Sequence, residues 1–383
     1  MRLYEFEAKA LLQQHGIAVP RGLVATDPED ARNAAESLGG AVAVKAQTLA
    51  GGRGKAGLIR LVGDPREAED AAGRILYARP EGRSIERVLV EERLAIAREL
   101  YLSISVDRLG GCPKVLACSE GGVEVEEVAV RRPEAVARHP VDVLRGLRAH
   151  EAMQVARAVG LQGDEALGFA RFLLRLYFAF CALDAHLLEV NPLVVTPDRR
   201  FVAADAKMVM DDDALFRQPF LQTRPPEPGL SPLEAEGRAK KVSYVDLEGE
   251  VALMGNGAGL VMSLLDQVQH FGARPANFLD TGGGASRTRA KDALTLVLEK
   301  AEQDRRVRSI LLAFSLSISL PEDAAGGVLD ALAERPPRVP IFAVVHGTRA
   351  EVAEKMLRSA GISVFPTIHE ATRAAATASA SSE

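Results

Sequence analysis

A lysine sits inside an apolar strand. In Ala41-Val42-Ala43-Val44-Lys45-Ala46-Gln47, strand alternation places Ala43, Lys45 and Gln47 on one face and Val42, Val44 and Ala46 on the other. An ammonium in such a strand needs an anionic partner. The next loop, Ala50-Gly51-Gly52-Arg53-Gly54-Lys55-Ala56-Gly57, combines two cations with glycines that let backbone N–H groups approach a ligand. Lysine and loop together have the parts of a phosphate cradle. Glycines and cations alone fit a basic hairpin turn equally well.

Two later segments carry oxygen ligands. In Leu187-Leu188-Glu189-Val190-Asn191, Glu189 and Asn191 share a face; in Ala203-Ala204-Asp205-Ala206-Lys207, Asp205 and Lys207 do. Antiparallel pairing across the turn between them brings Asn191 opposite Asp205. Mg²⁺ takes one or two protein oxygens and completes its shell with phosphates and water, which suits one carboxylate and one amide oxygen. His186 falls on the opposite face and reads as a structural histidine. A third segment, Val88-Leu89-Val90-Glu91-Glu92 followed by Arg98-Glu99, ends a strand in acids that suit an adenine and ribose, or simply face water.

The remaining chemistry lies in glycine loops that follow strands. Val251–Met254 runs into Gly255-Asn256-Gly257-Ala258-Gly259, and Ala276–Asp280 runs into Thr281-Gly282-Gly283-Gly284. Each loop is expected to open a helix, whose first N–H groups attract phosphate or carboxylate. Three glycines at a helix start lower its stability, so Gly282, Gly283 and Gly284 point to a ligand or partner chain approaching closely. A dinucleotide fingerprint does not fit, because the third glycine is misplaced and no acid ends the next strand suitably.

The elements that must position these residues fall into two textures. The first part mixes helices (near 5–15, 27–39, from 65, and 149–183 with a break near 160–164) with strands near 41–47, 87–92, 100–107, 114–119, 187–195 and 201–208. Phe6, Ala10 and Leu11 mark the apolar side of the first helix. Leu221–Leu233 holds Pro225, Pro226, Pro228 and Pro232 and reads as a linker. Beyond it, strands at 251–254, 276–280, 309–314, 341–345 and 363–365 alternate with helices, which predicts a doubly wound parallel sheet. The expected domains are 1–220 and 236–383, joined by 221–235. Ala374–Glu383 reads as a frayed tail.

With 383 residues, more than one domain is expected. The 47 Lys and Arg against 52 Asp and Glu, no Trp and 5% aromatic residues argue against a nucleic-acid partner. Cys112, Cys118 and Cys181 form no Cys-x-x-Cys pair, which argues against a disulfide framework and a zinc site. No apolar run reaches membrane-spanning length. Glu5 and Glu7 stand where a targeting peptide would carry none, so the expectation is a cytoplasmic protein.

Taken together, these segments resemble the β subunit of succinate–CoA ligase and its relative malate–CoA ligase, over nearly all of residues 1–370. The resemblance rests on Tyr4-Glu5-Phe6-Glu7-Ala8-Lys9, Gly51–Gly57, Glu120-Gly121-Gly122-Val123-Glu124, Glu189-Val190-Asn191-Pro192-Leu193, Asp205-Ala206-Lys207, Ala214–Arg217, Asn256–Leu260 and Pro275–Asp280 with Gly282–Ala285. It implies an ATP-grasp domain (α+β) followed by a flavodoxin-like α/β domain. It also implies that Lys45, Gly52, Arg53, Gly54, Glu91, the Leu94 backbone and Glu99 hold ATP or GTP, and that Asn191 and Asp205 hold Mg²⁺. Glu189 would face a phosphohistidine of an α subunit near the nucleotide, Gly282–Gly284 would face it at a second site, and Asn256 would sit near the organic acid.

The implied reaction converts nucleoside triphosphate, a carboxylic acid and CoA into nucleoside diphosphate, phosphate and acyl-CoA. The α subunit would carry the histidine and most of the CoA site, in an αβ or (αβ)₂ assembly. One segment departs from the family pattern. Where relatives carry Phe-Gly-Gly-Ile and an Arg-Cys-Asp-like stretch, this chain reads Phe314-Ser315-Leu316-Ser317-Ile318-Ser319-Leu320. That leaves open an acid such as malate, or a non-catalytic nucleotide-binding subunit.

Overall fold

A computed structural model describes residues 1–49, 52–78, 80, 84–123, 125–222, 230–317 and 319–380. Ala50, Gly51, Glu124, Pro225, Pro226, Pro228, Ile318 and the last three residues of the expected tail lie outside the described residues. The chain divides into two compact units, Met1–Arg224 and Pro225–Glu383.

The first unit contains two sheets. Helix α1 (Glu5–Gln14) precedes strand β1 (Gly22–Ala25), helix α2 (Pro28–Leu38), strands β2 (Val42–Ala46) and β3 (Ile59–Val62), helix α3 (Pro65–Tyr77) and strand β4 (Val88–Glu92). The four strands form an antiparallel sheet in the order β1-β4-β2-β3. Asp27 and Asp64 cap α2 and α3, each with proline at the next position, and Gly39 ends α2 at φ +98°. Val42, Val44 and Ala46 of β2 and Val88 and Val90 of β4 pack on alanines of these two helices. The opposite face, by the same alternation, carries Lys45 and Glu91.

The second sheet is built from β5 (Arg98–Asp107), β6 (Cys112–Cys118), then, past helix α4 (Val125–Arg131), β7 (Val136–Pro140), and, past helices α5 (Ala149–Ala158) and α6 (Gly163–Ala182), β8 (Ala185–Val195), β9 (Phe201–Ala203) and β10 (Lys207–Met210). Its order is β10-β8-β5-β6-β7, with β9 paired to β8. Leu100, Leu102, Ile104, Leu188 and Val190 face α1, α5 and α6 in the largest core. Glu189 and Asn191 therefore project from the other face. A strand expected over 201–208 is interrupted instead. Residues 204–206 leave the ladder between β9 and β10, which aims the Ala204 carbonyl at Lys9 and Lys45 and the Asp205 carboxylate at Arg53.

After the short helix α7 (Pro219–Gln222), the second unit opens with helix α8 (Pro232–Ala239), capped by Ser231, so the expected linker ends earlier than residue 235. Strands β11 (Ser243–Asp246), β12 (Val251–Gly255), β13 (Asn277–Asp280), β14 (Ser309–Leu316), β15 (Ile341–Gly347) and β16 (Ser363–Phe365) form one sheet in the order β11-β13-β12-β14-β15-β16. All neighbours are parallel except the edge strand β11. Helices α9 (Ala258–His270), α10 (Arg287–Gln303), α11 (Pro321–Glu334), α12 (Ala350–Ser359) and α13 (Ile368–Ala380) alternate with the strands. Apolar cores on both faces, around Met254, Ile310 and Leu312 on one side and Leu253, Leu311 and Val344 on the other, mark the sheet as doubly wound. The expected frayed tail is helical to Ala380, with Ala375 and Ala376 buried against the sheet.

Candidate functional site

The N-terminal segment docks on β10. Leu3 N–H donates to the Met208 carbonyl (3.1 Å), Met210 N–H to the Met1 carbonyl (2.7 Å), and Arg2 bridges to Val209. That pairing starts α1 beside residues 204–206. Glu5, Ala8, Lys9 and Leu12, at helical spacing, form a buried stripe, whereas Ala10 is exposed. Of the side expected, Leu11 is buried, Phe6 is half-buried and Ala10 faces solvent, and the buried side contains a carboxylate and an ammonium.

These two charges meet the predicted cradle. The Lys45 ammonium donates to Glu5 Oε1 (3.0 Å), to the Ala204 carbonyl (2.6 Å) and lies 2.7 Å from Glu91 Oε2. Lys9 Nζ shares all three partners, at 2.6 Å, 2.7 Å and 2.6–2.8 Å. Arg53 contacts Glu5 Oε2 and the Ala46 carbonyl, and its other nitrogen donates to both Asp205 oxygens at 2.6 and 2.7 Å. Three cations thus balance three carboxylates in a nearly dry site, which is the condition for keeping them ionised. Burial disfavours the Glu5 carboxylate, but Lys45, Lys9 and Arg53 outweigh it and hold its pKa well below the usual range. Burial also opposes the Lys45 charge, and Glu5, Glu91 and Asp205 overcome that and raise its pKa. For Lys9, burial together with the Lys45 charge wins over the pull of Glu5 and Glu91, and its pKa falls.

Above this cluster opens a cavity of about 340 Å³ lined by Gly52, Arg53, Gly54, Glu189, Asn191 and Asp205 among others. Lys45 and Glu91 lie beneath it in the cluster. β8 pairs with β9 as Leu193↔Ala203 and with β10 as Glu189↔Lys207, the register that carries Asn191 to the level of Asp205. Asn191 is held by the backbone of the 121–123 loop: its Oδ1 accepts from Gly122 N–H (2.7 Å) and its amide donates to the Val123 carbonyl (3.1 Å). That loop requires two glycines. A Cβ at Gly121 would lie 2.4 Å from the Leu100 carbonyl oxygen, and Gly122 adopts φ +71° beside Glu99 Oε2. Glu99 is thereby set against this loop. Leu94, half-buried in the connection from β4 to β5, is not among the residues lining the cavity.

Glu189 lines the same cavity, between Ser103 on β5 and Lys207 on β10. Burial raises its pKa, with the charges of Asp205 and Glu126 adding to it and Lys207 opposing; the Tyr101 hydroxyl donates to it. His186 is exposed and lies 3.6 Å from Asp211, so it is a surface residue rather than a core one. Asp205 and Asn191 present oxygen donors to one cavity, and among the described residues no group of three or more His, Cys, Asp or Glu forms a self-sufficient metal site. Two oxygens that leave the rest of the shell to phosphates suit a hard cation such as Mg²⁺.

In the second unit, Gly282, Gly283 and Gly284 precede the helix instead of opening it. α10 starts at Arg287 behind the Ser286 cap. The Asp280 carboxylate accepts from Gly257 N–H (2.5 Å) and Gly282 N–H (2.7 Å), tying the two glycine loops together. Asn256 pairs with the Ser315 backbone in both directions, at 2.9 and 2.7 Å, and β14 continues through Leu316. The atypical segment therefore extends a strand here, and Ser319 Oγ faces Gly284.

Sequence reasoning did not place Glu5, Lys9, Gly121, Gly122 or Tyr101 at this site. A Glu–Lys pair four apart inside a stripe completed by Ala8 and Leu12 was the available signal for the first two. Nothing local flags Tyr101.

Residues 2–195 match the family model of the ATP-grasp domain, and residues 254–378 match that of CoA-ligase. The chain is 40% identical to a succinate–CoA ligase [ADP-forming] β subunit of Ignicoccus hospitalis over 98% of both chains. It is 41% identical to the GDP-forming β subunit of Thermus thermophilus over 98% of both, and 45% identical to β subunit 2 of Streptomyces coelicolor over 93% of this chain and 91% of that one. An ATP citrate lyase structure from Methanothrix soehngenii, 20% identical, superposes with a TM-score of 0.75 over 95% of each chain and shares the fold. Among the described residues no helix is long and apolar enough to cross a membrane.

Proposed function

The chain belongs to the β-subunit family of succinate–CoA ligases, and on that premise we propose that its first unit presents a nucleoside triphosphate to a histidine of the partner α subunit. It is the β subunit of an acid–CoA ligase of the ADP- or GDP-forming kind, which implies an α subunit. The alternative of a non-catalytic subunit is not favoured by this kinship.

The observation that carries the proposal is the convergence of Arg53, Asn191 and Asp205 on one cavity in the first unit, with Lys45 beneath it and joined to Arg53 through Glu5. Lys45 and Arg53 bind and neutralise the phosphates, with the Gly52–Gly54 backbone beside them. Arg53 is planar and pairs in fork fashion, so it exchanges one carboxylate, Asp205, for a phosphate of similar geometry. Asp205 and Asn191 hold Mg²⁺, which when bound neutralises charge on the phosphates. The Leu94 backbone and Glu99 are left for the nucleoside end; Glu91, expected there, is instead buried against Lys9 and Lys45 as their counter-ion.

Glu189 faces the incoming imidazole. A carboxylate that accepts from one ring N–H fixes the tautomer and leaves the other nitrogen for the phosphoryl group. In the second unit, Gly282–Gly284 receive the phosphohistidine and Asn256 borders the acid, with CoA held mainly by α in an αβ or (αβ)₂ assembly. The names of the relatives support succinate as the acid, and the Ser315–Leu320 segment is the part of this end that differs.

Turnover of the co-purified αβ complex with a panel of dicarboxylates, read as CoA- and nucleotide-dependent phosphate release, tests this reading. Succinate or a close dicarboxylate should be consumed with ATP or GTP. Absence of turnover with every acid would contradict it.

A further inference from the structure

Lys9 and Lys45 are a matched pair. Both are buried, and each ammonium directs its protons at the same three acceptors: Glu5 Oε1, the Glu91 carboxylate and the Ala204 carbonyl. An ammonium has three protons, so neither lysine has a donor left over. Glu5 is equally committed, with one oxygen on the two lysines and the other on Arg53.

This geometry poses a problem for a phosphate-binding lysine. If Lys45 turns to a phosphate, Glu5 and Glu91 lose a cation while they remain in a dry site. A buried carboxylate left without a partner is strongly unfavourable. Lys9 lessens the problem. It comes from another element, α1, and it touches the same two carboxylates and the same carbonyl. When Lys45 and Arg53 engage phosphate, Lys9 still donates to both Glu5 and Glu91 and balances one of their two charges.

We propose that Lys9 and Glu5 form a standing counter-ion pair that sets how readily Lys45 and Arg53 are released to the nucleotide's phosphates. The inference rests on the assignment of Lys45 and Arg53 to those phosphates. Lys9 and Glu5 are positioning residues: they act through the two phosphate-binding cations. Glu5 holds those cations back, and Lys9 offsets that hold. The two residues are therefore expected to act on nucleotide affinity with opposite signs. Two residues that merely stabilise the fold would act with the same sign.

The test is calorimetric titration of Mg-ADP and Mg-GDP into the αβ complex carrying Lys9→Met, Lys9→Arg, Glu5→Gln or the double change Glu5→Gln with Lys9→Met. Lys9→Met leaves the cluster with an excess carboxylate and should weaken binding about tenfold, the scale of one charge acting through partly screened protein. Glu5→Gln leaves an excess cation and should tighten binding by a similar factor. Lys9→Arg keeps the charge and should stay within a few-fold of the parent. The double variant is neutral again and should return near the parent affinity.

Weaker binding in both single variants, no change in either, or a double variant as weak as Lys9→Met would overturn the proposal. Where a single variant does not assemble, the neutral double variant decides by the same criterion. Arg53→Ala separates this inference from the reading beneath it. If Arg53→Ala binds nucleotide like the parent, the site itself is misassigned and the inference falls with it. If Arg53→Ala loses binding while Lys9→Met and Glu5→Gln both weaken it, only the counter-ion inference is overturned.

Discussion

At the scale of single residues, charge placement decides what the first unit can do. Lys45, Arg53 and Asp205 were legible because their types are conspicuous in their strands and loop. Their partners Glu5 and Lys9 were not, because an isolated helix gives no sign of which charged side chains a second domain layer will cover. Glu189 was legible as a polar residue on a strand face, but its environment was not. Tyr101 comes from a neighbouring strand far away in sequence, and only the β5–β8 register brings the two together.

That environment has a consequence for pH. Burial raises the Glu189 pKa in the folded chain, with Asp205 and Glu126 adding to the effect. A raised carboxyl contributes stability below the ordinary carboxylate range, about 4 to 5. The contribution is lost as pH rises through the raised folded value. Glu189→Gln does not titrate. The melting temperature of Glu189→Gln should therefore gain on that of the parent as pH rises from about 4 to 7, while phosphoryl exchange with the partner falls. Parallel melting curves across that range would show that the carboxyl is not destabilised by its surroundings.

At the scale of elements, strands with continuous apolar runs were legible in the second unit, because a parallel sheet covered on both faces needs them. The edge strand β11 was not, since Ser243-Tyr244-Val245-Asp246 is short and only half apolar. The C-terminal segment has the composition of a loose tail, yet it is helical. Tertiary contacts override composition there: Ala371 and Ala375 are fully buried, and Ser309 Oγ donates to the Ala375 carbonyl at 2.9 Å. The split of the expected 201–208 strand was also illegible. Its cause is the set of buried cations that the Ala204 carbonyl and Asp205 satisfy, none of which is near in sequence.

The crossing of α10 and α11 depends on a glycine inside a helix. A Cβ at Gly327 would lie 2.1 Å from the Arg287 carbonyl oxygen and 2.9 Å from Ala290 Cβ. Alanine gains about 1 kcal/mol in helix propensity. Overpacking of this kind costs about 1–3 kcal/mol or more, and the obstacle here is backbone, so the loss should win. Gly327→Ala should lower the melting temperature of the complex by several degrees. An unchanged or raised value would mean that the two helices can move apart at little cost.

At the scale of the whole molecule, the chain combines an ATP-grasp unit with a CoA-ligase unit, and membership of this β-subunit family implies an α subunit. Domain order and family were legible because many short motifs occur in the right sequence along the chain. The acid end was least legible. Its unusual Ser315 turned out to bond the very amide, Asn256, that was expected to border the substrate.

The role proposed for the first unit is to position a nucleotide for phosphoryl transfer to a histidine of the partner. The αβ complex should be mixed with ATP or GTP labelled on the γ-phosphate, with Mg²⁺, and the α subunit examined for acid-labile label. Label should appear on the partner's histidine and fall by about a hundredfold or more when Lys45 or Asp205 is replaced by alanine, the scale for losing one transition-state electrostatic contact. A stable complex that acquires no label, or one that labels equally well without Lys45 and Asp205, would contradict the account.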